Sequence, residues 1–311
     1  MSLPVSSALT RPRAYYQNPV SPLLMGMQEL IEEVIRTGDV NLIGKTPSCT
    51  VPLVCEVNLI NVGVGHASGM RDGPAVIACI PAHNEEDTIG HVVSEARKYV
   101  DLVVVCDDGS TDSTYKTARS AGAVVVRHRS NLGYGAALRT LFQVARKLDP
   151  DVMVTLDGDG QHDPRFIPRL IKPVLAGRAD IVVGSRFLGQ TEMPAYRGFG
   201  VKVITWPVRL AAYPTLRDAQ SGFRAYSRRA IHVIRVTEPG MGASTEILLR
   251  AAAHGLRLEE VPVRINYAGI APRTSPIKHG LSVLLTTVKW AIRKHLGTLK
   301  IKDVAGEVPQ P

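Results

Sequence analysis

Aromatic residues are scarce in this chain: Phe, Tyr and Trp together make up 5% of its 311 residues. That argues against a protein that stacks nucleic-acid bases on aromatic side chains, so no nucleic-acid partner is expected. Cysteine is sparse too. Cys49, Cys55, Cys79 and Cys106 form no CxxC pair and lie away from any histidine cluster, which excludes a disulfide framework and a thiolate metal site. Cys79 and Cys106 sit inside apolar runs, where cysteine behaves as a small buried hydrophobe. Long apolar runs are missing as well: no segment reaches the ~18 residues that a membrane-spanning helix needs. Pro4, Arg11, Pro12 and Arg13 interrupt the start before a signal-peptide core could form. The expected location is the cytoplasm, with peripheral contact to the cytoplasmic face of the membrane and no transmembrane helix.

Acid is absent where base is dense. From Arg264 to Lys302 the chain carries eight Lys and Arg residues and no Asp or Glu, against a net charge of +9 overall. A patch of that kind calls for an anionic partner: a lipid head group, a diphosphate or a nucleic acid.

Residues 1–74 read as an N-terminal extension, partly irregular. Prolines 4, 12, 19 and 22 break its first part, and "MQELIEEVIRTG" (27–38) predicts a short amphipathic helix stopped by Gly38. From Ala75 short apolar runs alternate with amphipathic ones. "AVIACIP", "DLVVVCDDGS", "AVVVRH", "DVMVTLDGDG" and "ADIVVGSR" predict five strands, each but the last followed by a helical pattern. Continuously apolar strands alternating with helices imply a mostly parallel α/β sheet covered on both faces. Residues 75–280 would form that domain and 281–311 a basic amphipathic helix and tail.

In such sheets ligands bind outside the carboxyl ends of the strands. The polar clusters fall there: Pro81-Ala82-His83-Asn84-Glu85, Asp107-Asp108, Asp157-Gly158-Asp159 and Gly184-Ser185-Arg186. A single Asp-Gly-Asp would be an ordinary turn, but four clusters at matching strand ends make one rim. Carboxylates as close as Asp157 and Asp159 repel one another unless a cation holds them, and paired oxygens suit Mg²⁺ or Mn²⁺ completed by substrate phosphates. The diphosphate implies a nucleotide, yet the P-loop sequence G-x-x-x-x-G-K-[ST] is absent. A nucleotide-diphosphate-sugar is the natural candidate.

"CIPAHNEEDTI", "VVVCDDGSTDST", "NLGYGAAL", "LDGDGQHDP", "IVVGSR" and "DAQSGFRAYSRRA" occur in that order between about Ala75 and Gly280. Together they resemble family 2 glycosyltransferases of GT-A (Rossmann-like) fold, in particular the dolichol-phosphate mannosyltransferase and polyprenyl-phosphate hexosyltransferase branch. The resemblance implies that Pro81, Ala82, Glu85, Asp108 and Asp157 bind the nucleotide-sugar, GDP-mannose or a UDP-hexose. It implies Asp157, Asp159 and Gln161 as metal ligands, and Asp159, Arg186 and Arg273 as catalytic residues. Asp218, Ser221 and Arg224 would shape the acceptor side. The chain departs from the family at Tyr134, where Lys is common, and at "PRTSPIK", which carries proline in place of glycine or lysine.

Plainer readings stand beside these. Glu85 or Glu86 can be a helix-start acid, Asp108 a turn residue, Arg224 a structural partner of Asp218, and Glu246 a helix-start acid. His83, His162 and His279 read as polar loop residues, and Asp163 as a cap before Pro164.

A hydroxyl acceptor would need a general base. A polyprenyl phosphate is already an anionic nucleophile, so the site needs positive charge to place it and a metal to neutralise the leaving nucleoside diphosphate. The arginines after the fifth strand fit the second case. In "GLSVLLTTVKWAIRKHL", Leu281, Leu284, Leu285, Val288 and Ile292 recur at helical spacing with Lys289, Arg293 and Lys294 off that face. Such a helix can lie in a membrane interface or pack on the core. The alternatives are a transferase to a sugar or small-molecule hydroxyl, and a non-catalytic basic protein binding membrane surfaces or nucleic acid.

Overall fold

Apolar runs of four to seven residues form the centre of the molecule because their side chains are covered on both sides of one sheet. The computed structural model describes residues 73–189, 195–265 and 287–290. Residues 1–72 and most of the basic C-terminal segment, with Arg273 and His279, lie outside the described residues.

The strands are β1 (Val76–Ala82), β2 (Leu102–Asp107), β3 (Val124–Arg127), β4 (Val152–Thr155), β5 (Ile181–Ser185), β6 (Arg224–Ser227) and β7 (Leu258–Pro262). The helices are α1 (Ile89–Ala96), α2 (Thr114–Ser120), α3 (Tyr134–Leu148), α4 (Ile167–Leu175), α5 (Ala195–Ala211), α6 (Arg228–Val233) and α7 (Ala243–Ala253). The sheet order is β3-β2-β1-β4-β6-β5-β7, all parallel except β6, which runs against both its neighbours. The five expected strands are all present. The sixth and seventh, the antiparallel β6 and the edge strand β7, were not expected.

Residues alternate across the sheet as the pleat requires. Val76, Ala78 and Ile80 of β1 share one core with Ile89, Val92 and Val93 of α1, Ala118 of α2, and Ile167 and Leu170 of α4. On the opposite face α3 packs against β1 and β2, where Phe142 meets Tyr226 edge to face at 5.1 Å. Cys79 and Cys106 are buried thiols in no disulfide, and desolvation raises the Cys79 thiol far above its ordinary range. Pro81 is tolerated in a central strand because β4 pairs β1 only as far as Cys79, so its missing N–H falls beyond that ladder.

The order reverses at β1, which has β2 on one side and β4 on the other. This is the switch point at which open α/β sheets make a crevice. The carboxyl ends of β1 and β4 carry Pro81-Ala82 and Asp157-Gly-Asp159, so the two polar clusters face each other across it. Among the described residues, no helix is long and apolar enough to cross a membrane.

Candidate active site

The crevice is a cleft of about 260 Å³ lined by Pro81, Ala82, His83, Glu85, Asp108, Asn131, Tyr134, Ala137, Asp157, Gly158, Asp159 and Met241. All five residues expected to hold the nucleotide-sugar therefore face one space, with Asp159. A larger hollow lies at the opposite end of the sheet, but its arginines, Arg228, Arg229 and Arg257, are already paired with Asp149, Asp151 and Asp180.

Each wall is held by its own sequence. In "HNEED", Asn84 adopts a left-handed backbone (φ 55°) that Asn tolerates. Its amide N–H donates to Ser110 Oγ at 2.9 Å, and its side-chain oxygen accepts from Thr111 N. Glu85 N–H donates to Thr114 Oγ1. Glu86 is the helix-start acid of the pair, but for the neighbouring helix: its carboxylate accepts from the N–H of Ser113, the cap residue of α2. Asp108 is more than a turn residue. One oxygen accepts from His128 Nδ1 (2.6 Å) and Leu132 N (2.9 Å), the other from Gly133 N (2.8 Å). Burial opposes its ionisation, but these bonds outweigh burial and keep the carboxyl below its usual range. Asp108 thus fastens the "NLG" loop that begins α3 at the cleft edge.

The opposite wall is the loop after β4. Thr88 Oγ1 ties it to the α1 start by donating to Gly158 O at 2.7 Å. Asp163 caps the helical turn at Pro164 by accepting from Arg165 N, as its position beside proline predicts. Gln161 donates to Asp159 through both its backbone N–H (3.0 Å) and its side-chain amide (2.6 Å). The Tyr134 hydroxyl donates to Asp157 Oδ1 at 3.3 Å, so the tyrosine that replaces the family's lysine reaches the carboxylate pair.

The two carboxylates are held against their own repulsion. Desolvation pushes Asp157 up to about 6, although Tyr134, Arg186 and Arg224 pull it down. Desolvation and then the charge of Asp157 raise Asp159. Paired oxygen donors that resist ionising together fit a hard divalent cation such as Mg²⁺ or Mn²⁺, which would hold both in the charged form. Among the described residues no group of three or more His, Cys, Asp and Glu side chains could hold a metal ion by itself. The pair offers part of a coordination shell, as expected of a site that substrate phosphate oxygens complete.

Without metal, the Asp157→Asn variant is expected to gain stability over wild type as pH rises. Asp157 binds its proton more tightly folded than unfolded, so its favourable contribution is full below about 4 and lost as pH rises towards 6. His162, pushed down to about 4 mainly by desolvation, gives the opposite slope, but it is present in both proteins and cancels in the difference. Melting curves of the two proteins between about pH 4 and 7 check this. A difference that stays flat across the range means the carboxylate is not destabilised by its surroundings.

His162 is more than a polar loop residue. It is buried, neutral and tilted against Phe223 at 5.2 Å, and its Nδ1 accepts from the Asp157 backbone N–H at 3.1 Å. Behind the pair lies "DAQSGFR". Thr155 Oγ1 donates to Gly222 O at 2.7 Å. A Cβ at Gly222 would sit 2.8 Å from Asp157 Oδ1 and 2.9 Å from the Tyr134 hydroxyl, so only glycine leaves room for them.

The plainer reading that pairs Arg224 with Asp218 does not hold. Asp218 is buried and bound to Arg186, with Nε and Nη2 each 2.6 Å from a carboxylate oxygen. Desolvation opposes ionisation of Asp218, but the Arg186 charge overrides it and lowers its pKa. Arg224 is itself buried and donates to the carbonyls of Ser221, Ser244 and Ala219 at 2.8–2.9 Å. Ser221 Oγ accepts from Phe223 N within the same turn. Asp218, Ser221 and Arg224 are buried within this loop, and Arg224 acts on Asp157 through its charge.

Glu246 is a helix-start acid, in the first turn of α7, but its role goes beyond that. It is fully buried on α7, accepting from Thr237 N (2.9 Å), Glu238 N (2.8 Å) and Arg250 Nε (2.8 Å). This anchors the 237–242 loop, whose Pro239 carbonyl accepts from Gly135 N at 2.7 Å and whose Met241 lines the cleft. The described C-terminal turn packs here too. Trp290 Nε1 donates to Glu238 Oε1 at 2.8 Å, and Thr287 Oγ1 to Thr245 Oγ1 at 3.0 Å. Thr287 and Trp290 face the protein, while Val288 of the expected apolar face points outward.

Residues 77–235 match the family model described as "Glycosyl transferase family 2". The chain is 32% identical to a dolichyl-phosphate hexose transferase of Haloferax volcanii, over 69% of this chain and 92% of that one. It is 31% identical to a UDP-N-acetylglucosamine–dolichyl-phosphate N-acetylglucosaminyltransferase of Methanococcus voltae, over 60% and 84%. It also resembles the crystal structure of glucosyl-3-phosphoglycerate synthase from Mycobacterium tuberculosis in complex with Mn²⁺, uridine diphosphate and phosphoglyceric acid. There the TM-score is 0.56 at 26% identity, covering 70% of this chain and 79% of that one.

Proposed function

Because the chain belongs to glycosyl transferase family 2, we propose that it moves a hexose from a nucleotide-diphosphate-sugar to a polyprenyl (dolichyl) phosphate. The observation that carries this is the Asp157–Asp159 pair, two carboxylates of raised pKa opposite the Pro81–Glu85 wall in one cleft. Mannose or glucose is the sugar, from GDP-mannose or a UDP-hexose.

A phosphate oxygen of the acceptor attacks the anomeric carbon, the bond to the nucleoside diphosphate breaks, and the centre inverts. Asp157 and Asp159, with Gln161 beside them, would hold Mg²⁺ or Mn²⁺, which when bound neutralises charge on the leaving diphosphate. The acceptor monoester carries its own charge, so the step needs no deprotonation. The Asp163 carboxylate, the remaining acid of this loop, is engaged by Arg165, which supports an acceptor needing no base. His162 and Tyr134 orient Asp157, and the Asp108-fastened loop shapes the nucleoside side. The family resemblance gives Arg273, which lies outside the described residues, a catalytic role with Arg186. The names of the archaeal relatives support a polyprenyl-phosphate acceptor.

The test is a melting panel of GDP-mannose, UDP-glucose and UDP-N-acetylglucosamine, each with and without Mn²⁺. A donor at 100 times its Kd should add about 2.7 kcal/mol of stability. A shift by one donor that requires metal names the donor; no shift by any of them overturns the reading. Product that partitions into water rather than organic solvent would instead indicate a soluble acceptor, such as the phosphoglycerate bound by the mycobacterial enzyme.

A further inference from the structure

Helix α5 has two apolar faces. One, with Ile204, Thr205 and Val208, is buried against the protein, and Thr205 Oγ1 accepts from Ala219 N at 3.1 Å. The other is open. Phe199, Val203, Trp206 and Leu210 are 71%, 37%, 62% and 69% exposed. Their spacing of four, three and four residues puts them in one stripe along the helix, opposite the buried face. Of the eight exposed large apolar side chains among the described residues, these are four, and Leu188 just before the helix is a fifth. A surface helix in water normally turns polar residues outward, and a contiguous apolar strip this size marks an interaction site.

The charges on the helix say what the strip meets. Its sequence, "AYRGFGVKVITWPVRLA", has three basic residues and no acid. Lys202 and Arg209 fall along one flank of the stripe, both exposed. A core-to-core protein contact needs no such flank, whereas anionic head groups do. An apolar strip with a tryptophan, bordered by Lys and Arg, is the composition of a helix lying in a membrane interface.

Its position suits the reaction. The chain leaves the carboxyl rim of the sheet at Arg186, runs through α5, and returns to the same rim at Asp218, where the Arg186–Asp218 pair ties the two ends together. We propose that the Phe199–Val203–Trp206–Leu210 face of α5 seats the catalytic rim on an anionic lipid surface. The proposal rests on the lipid-phosphate reading above and deepens it: the element that docks is an insertion within the catalytic domain, in addition to whatever the basic C-terminal segment does.

The experiment is cosedimentation of the full chain with phosphatidylglycerol–phosphatidylcholine vesicles that contain no polyprenyl phosphate, followed also by tryptophan emission. Wild type should bind, with a blue shift. Phe199→Ser/Trp206→Ser/Leu210→Ser should weaken partition by about tenfold or more, while its melting point and its metal-dependent donor shift stay near wild type. Trp206→Phe should keep partition and lose most of the blue shift, because Trp290 is buried. Lys202→Glu should weaken binding to the anionic vesicles only. Three outcomes overturn the proposal: no wild-type binding, binding that survives the triple serine variant, or a stripe-dependent dimer in solution with no affinity for vesicles. Vesicle binding with no donor shift would instead count against the glycosyl-transfer reading and leave the lipid-facing helix standing.

Discussion

Asp159→Ala is expected to lower hexosyl transfer by about 10³-fold or more, the loss typical of removing a group that stabilises charge developing in the transition state. The metal-dependent donor shift should vanish with it. The same substitution should leave metal-free stability unchanged or higher. Asp159 sits beside Asp157 with its pKa raised by desolvation and by that neighbouring charge, so the folded protein without metal carries an unfavourable pair. Removing one member relieves it. Opposite signs for activity and stability distinguish a site carboxylate from a structural one, which would lose both. Transfer rates from labelled donor and melting curves in chelator measure the two quantities. Transfer within about tenfold of wild type would mean that the pair does not meet the diphosphate.

The largest loss of stability is expected from Glu246→Ala, about 3–5 kcal/mol. Three mechanisms act together. The Arg250 guanidinium, paired at 2.8 Å and almost fully buried, loses its counter-charge. The backbone N–H groups of Thr237 and Glu238 lose their acceptor. The 237–242 loop then has no anchor, and with it go the Pro239 contact to the start of α3 and the Met241 wall of the cleft. Glu246→Gln keeps one acceptor oxygen and should retain part of the stability. Urea titration of both variants reads the difference; a loss under about 1 kcal/mol for the alanine would refute this account of the loop.

The first half of the domain was easy to read from sequence because its strands are buried on both faces and so lack polar interruption. β1, β2 and β4 are apolar almost throughout, and the acids begin where the strands end. The second half conceals its elements for identifiable reasons. β7 is an edge strand, "LEEVP", whose two glutamates suit partial exposure but break the apolar pattern. β6 is four residues long and carries Arg224, whose charge is satisfied by carbonyls that only the fold brings near. In α5, Gly198, Gly200 and Pro207 disguise a seventeen-residue helix.

The site divides the same way. The position of Asp157 and Asp159 at a strand end follows from local pattern, as does the cap at Asp163. The partner of Asp218 does not, because Arg186 and Arg224 are equally basic and only the turn after α5 decides between them. His162 was hidden by its setting: among glycines and acids a histidine reads as solvated, while Phe223, which packs on it, comes from another part of the chain and the Asp157 amide reaches it only once the loop folds back on itself.

The reversed direction of β6 has a further effect on how such a protein can change. A connection between two adjacent parallel strands must run back along the sheet and end at the opposite rim from where it began. Here the stretch from Arg186 to Phe223 begins and ends on one rim, where the Arg186–Asp218 ion pair joins its two sides. The stretch behaves as a cassette: it can lengthen, shorten or change its outward residues without altering the register of β1, β2 or β4. The outward residues of α5 are thereby free to change without moving the strands that carry Asp157 and the Pro81–Glu85 wall.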